Sequence, residues 1–316
     1  MDTDTPGIHH VTAIAGEPQR NVDFYVGLLG LRLVKKTVNF DDPETYHLYY
    51  GDGEGSPGSI MTFFPWANAP AGLQGTGQLT VTSFSIPESS LGFWTDRLID
   101  NGIRFDKPTQ RFGDTVVSFA DPEGMKLELV ASSAEGRSSW EGGPVPAEHA
   151  IRGFHHVALS ERDPARTTKL MTETLGFRQV EEHDGRYRFE AGDGGPGNLV
   201  DVVDGSDEPR GRMGVGTVHH VAFRATDDEH ELAIREEVAG LGYHVTPVLD
   251  RNYFHSIYFR EPGGILFEIA TDPPGFTVDE DPAELGTNLK LPPQYESRRD
   301  HLERVLPPLH VPEENR

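Results

Sequence analysis

Gly7-Ile8-His9-His10-Val11-Thr12-Ala13-Ile14 returns twice further along the chain, as Gly153-Phe154-His155-His156-Val157-Ala158-Leu159 and as Val218-His219-His220-Val221-Ala222-Phe223. A fourth stretch, Gln78-Leu79-Thr80-Val81-Thr82, keeps the alternation without the histidines. Each opens a segment with one grammar: an alternating strand, a polar turn, an amphipathic helix, then further strands. The helices close on Leu29-Gly30-Leu31, Asn101-Gly102-Ile103, Leu175-Gly176-Phe177 and Leu241-Gly242-Tyr243, with glycine where a left-handed cap is needed. The second and fourth segments end alike, in Asp121-Pro122-Glu123-Gly124 before Lys126-Leu127-Glu128-Leu129 and in Glu261-Pro262-Gly263-Gly264 before Leu266-Phe267-Glu268-Ile269. The chain is therefore read as α+β, built from four βαβββ modules with a period of roughly 65–75 residues.

A Ser-, Gly- and Pro-rich stretch separates the second module from the third, so we expect a first domain over 1–135, a linker over 136–150 and a second domain over 151–272. The remainder, 273–316, is Pro-rich and acidic. It offers one short helix near 296–305 and a loose end from Val311.

Composition narrows the function. The 316 residues carry 28 basic and 51 acidic side chains, for a formal charge of −23. Such a surface is a poor match for nucleic acid or an anionic membrane. Only six residues are lysine, a halophile-like composition suited to a high-salt interior. The absence of cysteine removes disulfides, thiolate metal sites and cysteine nucleophiles. No apolar run reaches the ~18–20 residues of a membrane span, and the acidic opening Met1-Asp2-Thr3-Asp4 is unlike a secretory signal. A cytoplasmic location is expected, with a homo-oligomer left open.

Neighbouring side chains on a strand point to opposite faces, so one ring of each His-His pair is expected to enter a concave sheet. His10, His156 and His220 are the inward candidates, with Glu268 between Phe267 and Ile269 facing the same way. Two imidazoles and one carboxylate on separate strands form the 2-His-1-carboxylate set that leaves positions open on Fe(II). Glu128 shows the same alternation as Glu268, and a single His-His pair is as compatible with a packed core as with a ligand set. Periodicity alone permits the fourth module to pair with the first or with the third.

Several stretches carry a resemblance: Gly7-Ile8-His9-His10-Val11-Thr12, Tyr46-His47-Leu48-Tyr49-Tyr50-Gly51-Asp52, Tyr253 through Pro262, Gly264 through Glu268, and Pro274 through Glu280. Together they resemble the vicinal oxygen chelate superfamily, which includes glyoxalase I, bleomycin-resistance proteins and extradiol dioxygenases. Nearly the whole chain is similar to ring-cleaving dioxygenases of the hydroquinone 1,2-dioxygenase and methylhydroquinone-resistance type. The resemblance implies two vicinal-oxygen-chelate domains with cupped, antiparallel-rich sheets, and a cup shared by the first and fourth modules. It puts the metal, Fe(II) with Mn(II) as a second choice, on His10, His220 and Glu268. It gives supporting catalytic roles to His9, Thr12, His219, Arg251 and Tyr258. Tyr258 would hydrogen-bond the substrate and Arg251 would hold a second ring substituent. The implied activity is extradiol-type cleavage of a hydroquinone or catechol with both atoms of O2. A glyoxalase-type lyase or isomerase and a non-catalytic binding protein are the alternatives within the fold. His156, where two-domain catechol enzymes place a ligand, keeps the choice of first histidine open.

Overall fold

The computed structural model describes residues 3–133 and 136–312. The first module runs β1 (Ile8–Ala15), α1 (Pro18–Val22) continuing into a π-turn over Asp23–Leu28, β2 (Arg32–Val38), β3 (Tyr46–Gly51) and β4 (Ile60–Pro65). The second comprises β5 (Gln78–Pro87), α2 (Leu91–Asp100), β6 (Thr109–Arg111), β7 (Asp114–Ala120) and β8 (Lys126–Ser132). The third comprises β9 (Phe154–Glu161), α3 (Pro164–Thr174), β10 (Arg178–His183), β11 (Arg186–Glu190) and β12 (Leu199–Asp204). The fourth comprises β13 (Thr217–Ala225), α4 (Asp228–Gly240), β14 (Leu249–Asp250), β15 (Phe254–Arg260) and β16 (Leu266–Pro274).

Local chemistry sets the helix limits. Asp163 and Asp227 accept from backbone N–H groups at the starts of α3 and α4. Gly30, Gly102, Gly176 and Gly242 leave the four helices at positive φ, as their positions predict. Arg97 of α2 donates to the carbonyls of Leu28 and Gly27, satisfying the end of the first module's helical turn from the second module.

The strands form two eight-stranded sheets. One has the order β14-β15-β16-β13-β1-β4-β3-β2, the other β10-β11-β12-β9-β5-β8-β7-β6. The first and fourth modules therefore make one curled sheet, and the second and third make the other. The stretches 1–135 and 151–272 each contain two modules, and each sheet takes one module from either stretch. The antiparallel seams β1/β13 and β5/β9 join modules distant in sequence. Pairing of non-adjacent modules buries the same apolar faces as tandem pairing, so hydrophobic pattern does not discriminate between them.

Residues 136–150, read as a linker, pack against the modules. Trp94 donates its indole N–H to the His149 carbonyl, and a side chain on Gly30 would collide with Val145. The tail has α5 at Arg299–Val305 and lies against the first module. There the fully buried Lys35 pairs with Asp279 and Glu280, each at 2.7 Å. The loose end expected from Val311 falls largely outside the described residues. Among the described residues no helix is long and apolar enough to cross a membrane.

Candidate metal centre

The seam between β1 and β13 builds the site. Ile8 lies opposite Phe223 and His10 opposite Ala222, so His9 is an extra residue on β1. Thr12 lies opposite His220 and Ala13 opposite Val218, so His219 is an extra residue on β13. These two bulges break strict alternation and re-aim side chains. Each pair consequently closes on itself: His9 Nδ1 lies 2.9 Å from His10 Nδ1, and His219 Nδ1 lies 2.7 Å from His220 Nδ1. One nitrogen in each contact must donate, which fixes the ring of the second histidine and leaves its Nε2 to point elsewhere. In the His219–His220 pair the expectation of a single inward ring is corrected by this geometry, because both residues line the cavity.

The freed Nε2 atoms converge. His10 Nε2 and His220 Nε2 are 3.2 Å apart, and Glu268 Oε2 lies 3.3 Å from the first and 2.9 Å from the second. All three side chains are buried. Among the described residues Glu268 Oε2 is otherwise unpartnered, while the other oxygen accepts from Ser256 Oγ, which orients the carboxylate. Edges of this length match donors at neighbouring positions around one ion with bonds of roughly 2.0–2.2 Å. Burial alone would raise the Glu268 pKa, but His10 and His220 hold it well below the usual carboxylate range. Burial lowers His220 despite the opposing pull of Glu268. The donors are thus an anion and an imidazole kept neutral, the state that binds cations.

A cavity of about 370 Å³ opens over the three donors. On the fourth module's wall Arg251 Nε donates to Tyr258 Oη at 3.3 Å, and the guanidinium lies 5.3 Å above the Tyr258 ring. Arg251 also faces Asp41 at 3.5 Å, so its planar fork is engaged with Tyr258 and Asp41. Burial, and then Glu268, push the Tyr258 pKa well up, so it is a phenol and a hydrogen-bond donor. His9 and Thr12 do not line the cavity. His9 supports His10 from behind and packs on Phe254, while Thr12 Oγ1 lies 2.8 Å from Thr62 Oγ1.

The cavity also has an opposite wall, made of residues that carry no ligand pattern in the sequence. His47, Tyr49, Phe64 and Trp66 of the first module form the opposite wall. Tyr46-His47-Leu48-Tyr49-Tyr50 reads as a strand with aromatic alternation. Its chemistry becomes legible only when β3 lies beside β4 in the cup.

The second cup repeats the plan with different occupants. Register matching places His156 where His10 stands, Glu128 where Glu268 stands and Val81 where His220 stands. His156 Nε2 lies 3.6 Å from Glu128 and 3.4 Å from Asp201. Arginines fill the remaining space: Arg188 and Arg186 bind Asp201, and Arg111 binds Glu128. Burial pushes His156 down to about 3 despite Asp201. His156 therefore lies in a different sheet from His220 and does not join the His10–His220–Glu268 group.

The pattern of the Glyoxalase/Bleomycin resistance protein/Dioxygenase superfamily matches residues 7–129 and 153–269. The chain belongs to this superfamily. It is 48% identical to a Bacillus subtilis (strain 168) protein named "Putative ring-cleaving dioxygenase MhqO", across 99% of both chains. It is 37% identical to the chlorohydroquinone/hydroquinone 1,2-dioxygenase of Sphingobium indicum, across 95% of each. The crystal structure of a "putative dioxygenase" from Bacillus subtilis subsp. subtilis str. 168 superposes with a TM-score of 0.95 at 48% identity, covering 99% of this chain and 100% of that one. The two curled eight-stranded sheets are the two-domain vicinal oxygen chelate arrangement.

Proposed function

We propose that the protein is a cytoplasmic, Fe(II)-dependent, extradiol-type dioxygenase that cleaves the ring of a hydroquinone or catechol. The observation that carries this reading is the convergence of three buried donor atoms, with edges of 2.9, 3.2 and 3.3 Å, beneath an aromatic-lined cavity. Relatives named as ring-cleaving dioxygenases along nearly the whole chain support it. His10, His220 and Glu268 would hold the metal, and Mn(II) suits the same donors. Fe(II) there would supply oxygen activation and would acidify a ring hydroxyl bound to it.

The chain's own residues do the rest. Tyr258 donates its hydroxyl proton in hydrogen bonds to oxygen atoms beside the donor triad, and Arg251 keeps it in place. His219, which burial and His220 push down to about 3, is a neutral imidazole at the cavity wall. It offers the bound diol a neutral hydrogen-bonding partner at the wall and, through the Nδ1 contact, orients the His220 ring. His9 holds the His10 ring at the angle its Nε2 requires. Phe64 and Trp66, with centroids 5.3 Å apart, give a planar substrate an apolar surface and exclude water.

A glyoxalase-type reaction commonly uses a further protein carboxylate on the metal. Thr62 stands at the corresponding register position of the first module, which favours the oxygen-dependent reading. Anaerobic loading with Fe(II), followed by oxygen-uptake assays with hydroquinone and catechol, tests the proposal. Uptake of one O2 per diol is expected. An iron-loaded protein that consumes no oxygen with either diol contradicts it.

A further inference from the structure

The two cups match position by position. Tyr258 lies opposite Glu268 in the first, and Ser118 opposite Glu128 in the second. One strand further out, Leu249 and Thr109 stand in the same register, which sets Arg111 at the position of Arg251. On the other wall Tyr49 lies opposite Thr62, and Arg188 opposite Asp201. Two residues earlier on those strands, Arg186 stands where His47 stands. Guanidiniums and a serine thus replace the rings of the first cup.

The second cup nevertheless keeps an open space. A cavity of about 500 Å³ is lined by Arg111, Ser118, Lys126, Glu128 and Arg186. Their counterparts Arg251, Tyr258, Leu266, Glu268 and His47 all line the cavity over the metal donors. The fold therefore preserves the chamber while its walls have changed from aromatic to cationic.

We infer that the second cup is a binding site for a small organic carboxylate, held by Arg111 and Arg186 with Arg104 and Lys126 on its exposed side. The inference does not depend on the ring-cleaving reading. Arg188 closes Nε and Nη2 on the two oxygens of Asp201, and its side chain is 4% exposed, so its fork is spent. Arg111 and Arg186 are held differently. Each gives only Nη1 to its carboxylate, Arg111 to Glu128 and Arg186 to Asp201. Nη2 is engaged in neither pair, and the side chains are 23% and 18% exposed. Glu128 and Asp201 thus anchor two guanidiniums that still have donors for a ligand.

Charge and shape select the ligand. The lining holds four cations, Arg104, Arg111, Lys126 and Arg186, against the carboxyls of Asp106 and Glu128. The neighbouring Asp201 and Asp114 face Arg188, at 2.7 and 3.7 Å. The chamber keeps a surplus of positive charge on a chain of formal charge −23, so it draws anions. Two coplanar oxygens suit a guanidinium fork, as Arg188 with Asp201 demonstrates in the same cup. Val81 and Phe105, half-buried in the lining, give an organic body an apolar surface that inorganic phosphate does not use. A neutral diol brings no charge to these cations.

The test is calorimetric titration of the full chain with benzoate, with benzyl alcohol as its neutral counterpart and inorganic phosphate as a second oxyanion. The protein is prepared with and without Zn(II), which separates this cup from the His10–His220–Glu268 group. One benzoate site per chain is expected, equally strong in both preparations and stronger than for benzyl alcohol or phosphate. Arg186→Gln should lower benzoate affinity about tenfold, as loss of one charge-assisted hydrogen bond predicts. Arg104 is exposed and its side chain has no ion pair among the described residues, so Arg104→Gln keeps the fold and should weaken benzoate several-fold. No benzoate site, a site that needs the metal, equal or tighter binding of benzyl alcohol or phosphate, or unchanged affinity in both variants overturns the assignment.

Discussion

Thr62 occupies in the first module the register position that Glu268 holds in the fourth, so a nearly symmetric cup carries its carboxylate on one wall only. Glu268 is accordingly the residue on which metal affinity should turn. Glu268→Gln keeps the side-chain shape and the contact with Ser256 Oγ but removes the negative charge. The expected outcome is loss of metal to below one tenth of wild-type occupancy, with an unchanged circular dichroism spectrum. Metal analysis after desalting reads it, and wild-type occupancy in the variant would refute the assignment.

Tyr258→Phe should do the opposite. In the proposed reaction the phenol donates to reacting oxygen and holds no metal, so iron content should stay at the wild-type level. Loss of one charge-assisted or catalytic hydrogen bond predicts a fall in kcat of roughly 10²–10⁴-fold. An unchanged kcat would remove Tyr258 from the chemistry.

The second cup predicts a stoichiometry. Val81 supplies no ligand atom, and Arg188, Arg186 and Arg111 already neutralise Asp201 and Glu128. Burial opposes ionisation of Asp201, but His156 and the two guanidiniums hold its carboxyl below the usual range. Metal saturation should therefore reach one ion per chain. Two ions per chain would show that the arginines do not replace a metal.

Much of this was legible in the sequence, and the gaps have physical causes. The repeat displays the four modules, alternation marks His10, His156 and His220 with Glu268 as inward candidates, and only the family resemblance selects His10 over His156. Alternation failed at His219, because a bulge is a mismatch between two strands and neither strand shows it alone. Periodicity leaves the pairing of modules open, since the apolar period of β13 suits β1 and β9 alike, and only the resemblance points to the first and fourth. His156 has the local sequence of a ligand. What sets it apart are Val81, Asp201 and Arg188, which reach it only through the register of the second sheet. Tyr49 and His47 went unread for the same reason.

Stability should depend on pH through a buried carboxyl outside the metal site. Burial, and then the neighbouring Glu261, push Glu161 up to about 8 from an ordinary value near 4.5. A raised folded-state value means that the native protein holds this proton more tightly than the unfolded chain. Its contribution is complete below pH 4.5 and is lost as pH rises towards 8. Glu161→Gln removes this titration and should stabilise the protein above pH 8 by about 1–3 kcal/mol, the cost of an uncompensated buried polar group. Urea unfolding at pH 5 and pH 9 reads the difference, and identical pH dependence in both proteins would contradict it.

The metal is expected in the cup shared by the first and fourth modules. Three donors must lie within roughly 2.0–2.2 Å of one ion, and His10, His220 and Glu268 belong to one sheet while His156 belongs to the other. The decisive measurement is metal content of His10→Ala and His156→Ala, prepared and loaded with Fe(II) side by side. His10→Ala is expected to lose its iron and His156→Ala to keep nearly one ion per chain. Iron retained in His10→Ala and lost in His156→Ala would contradict it.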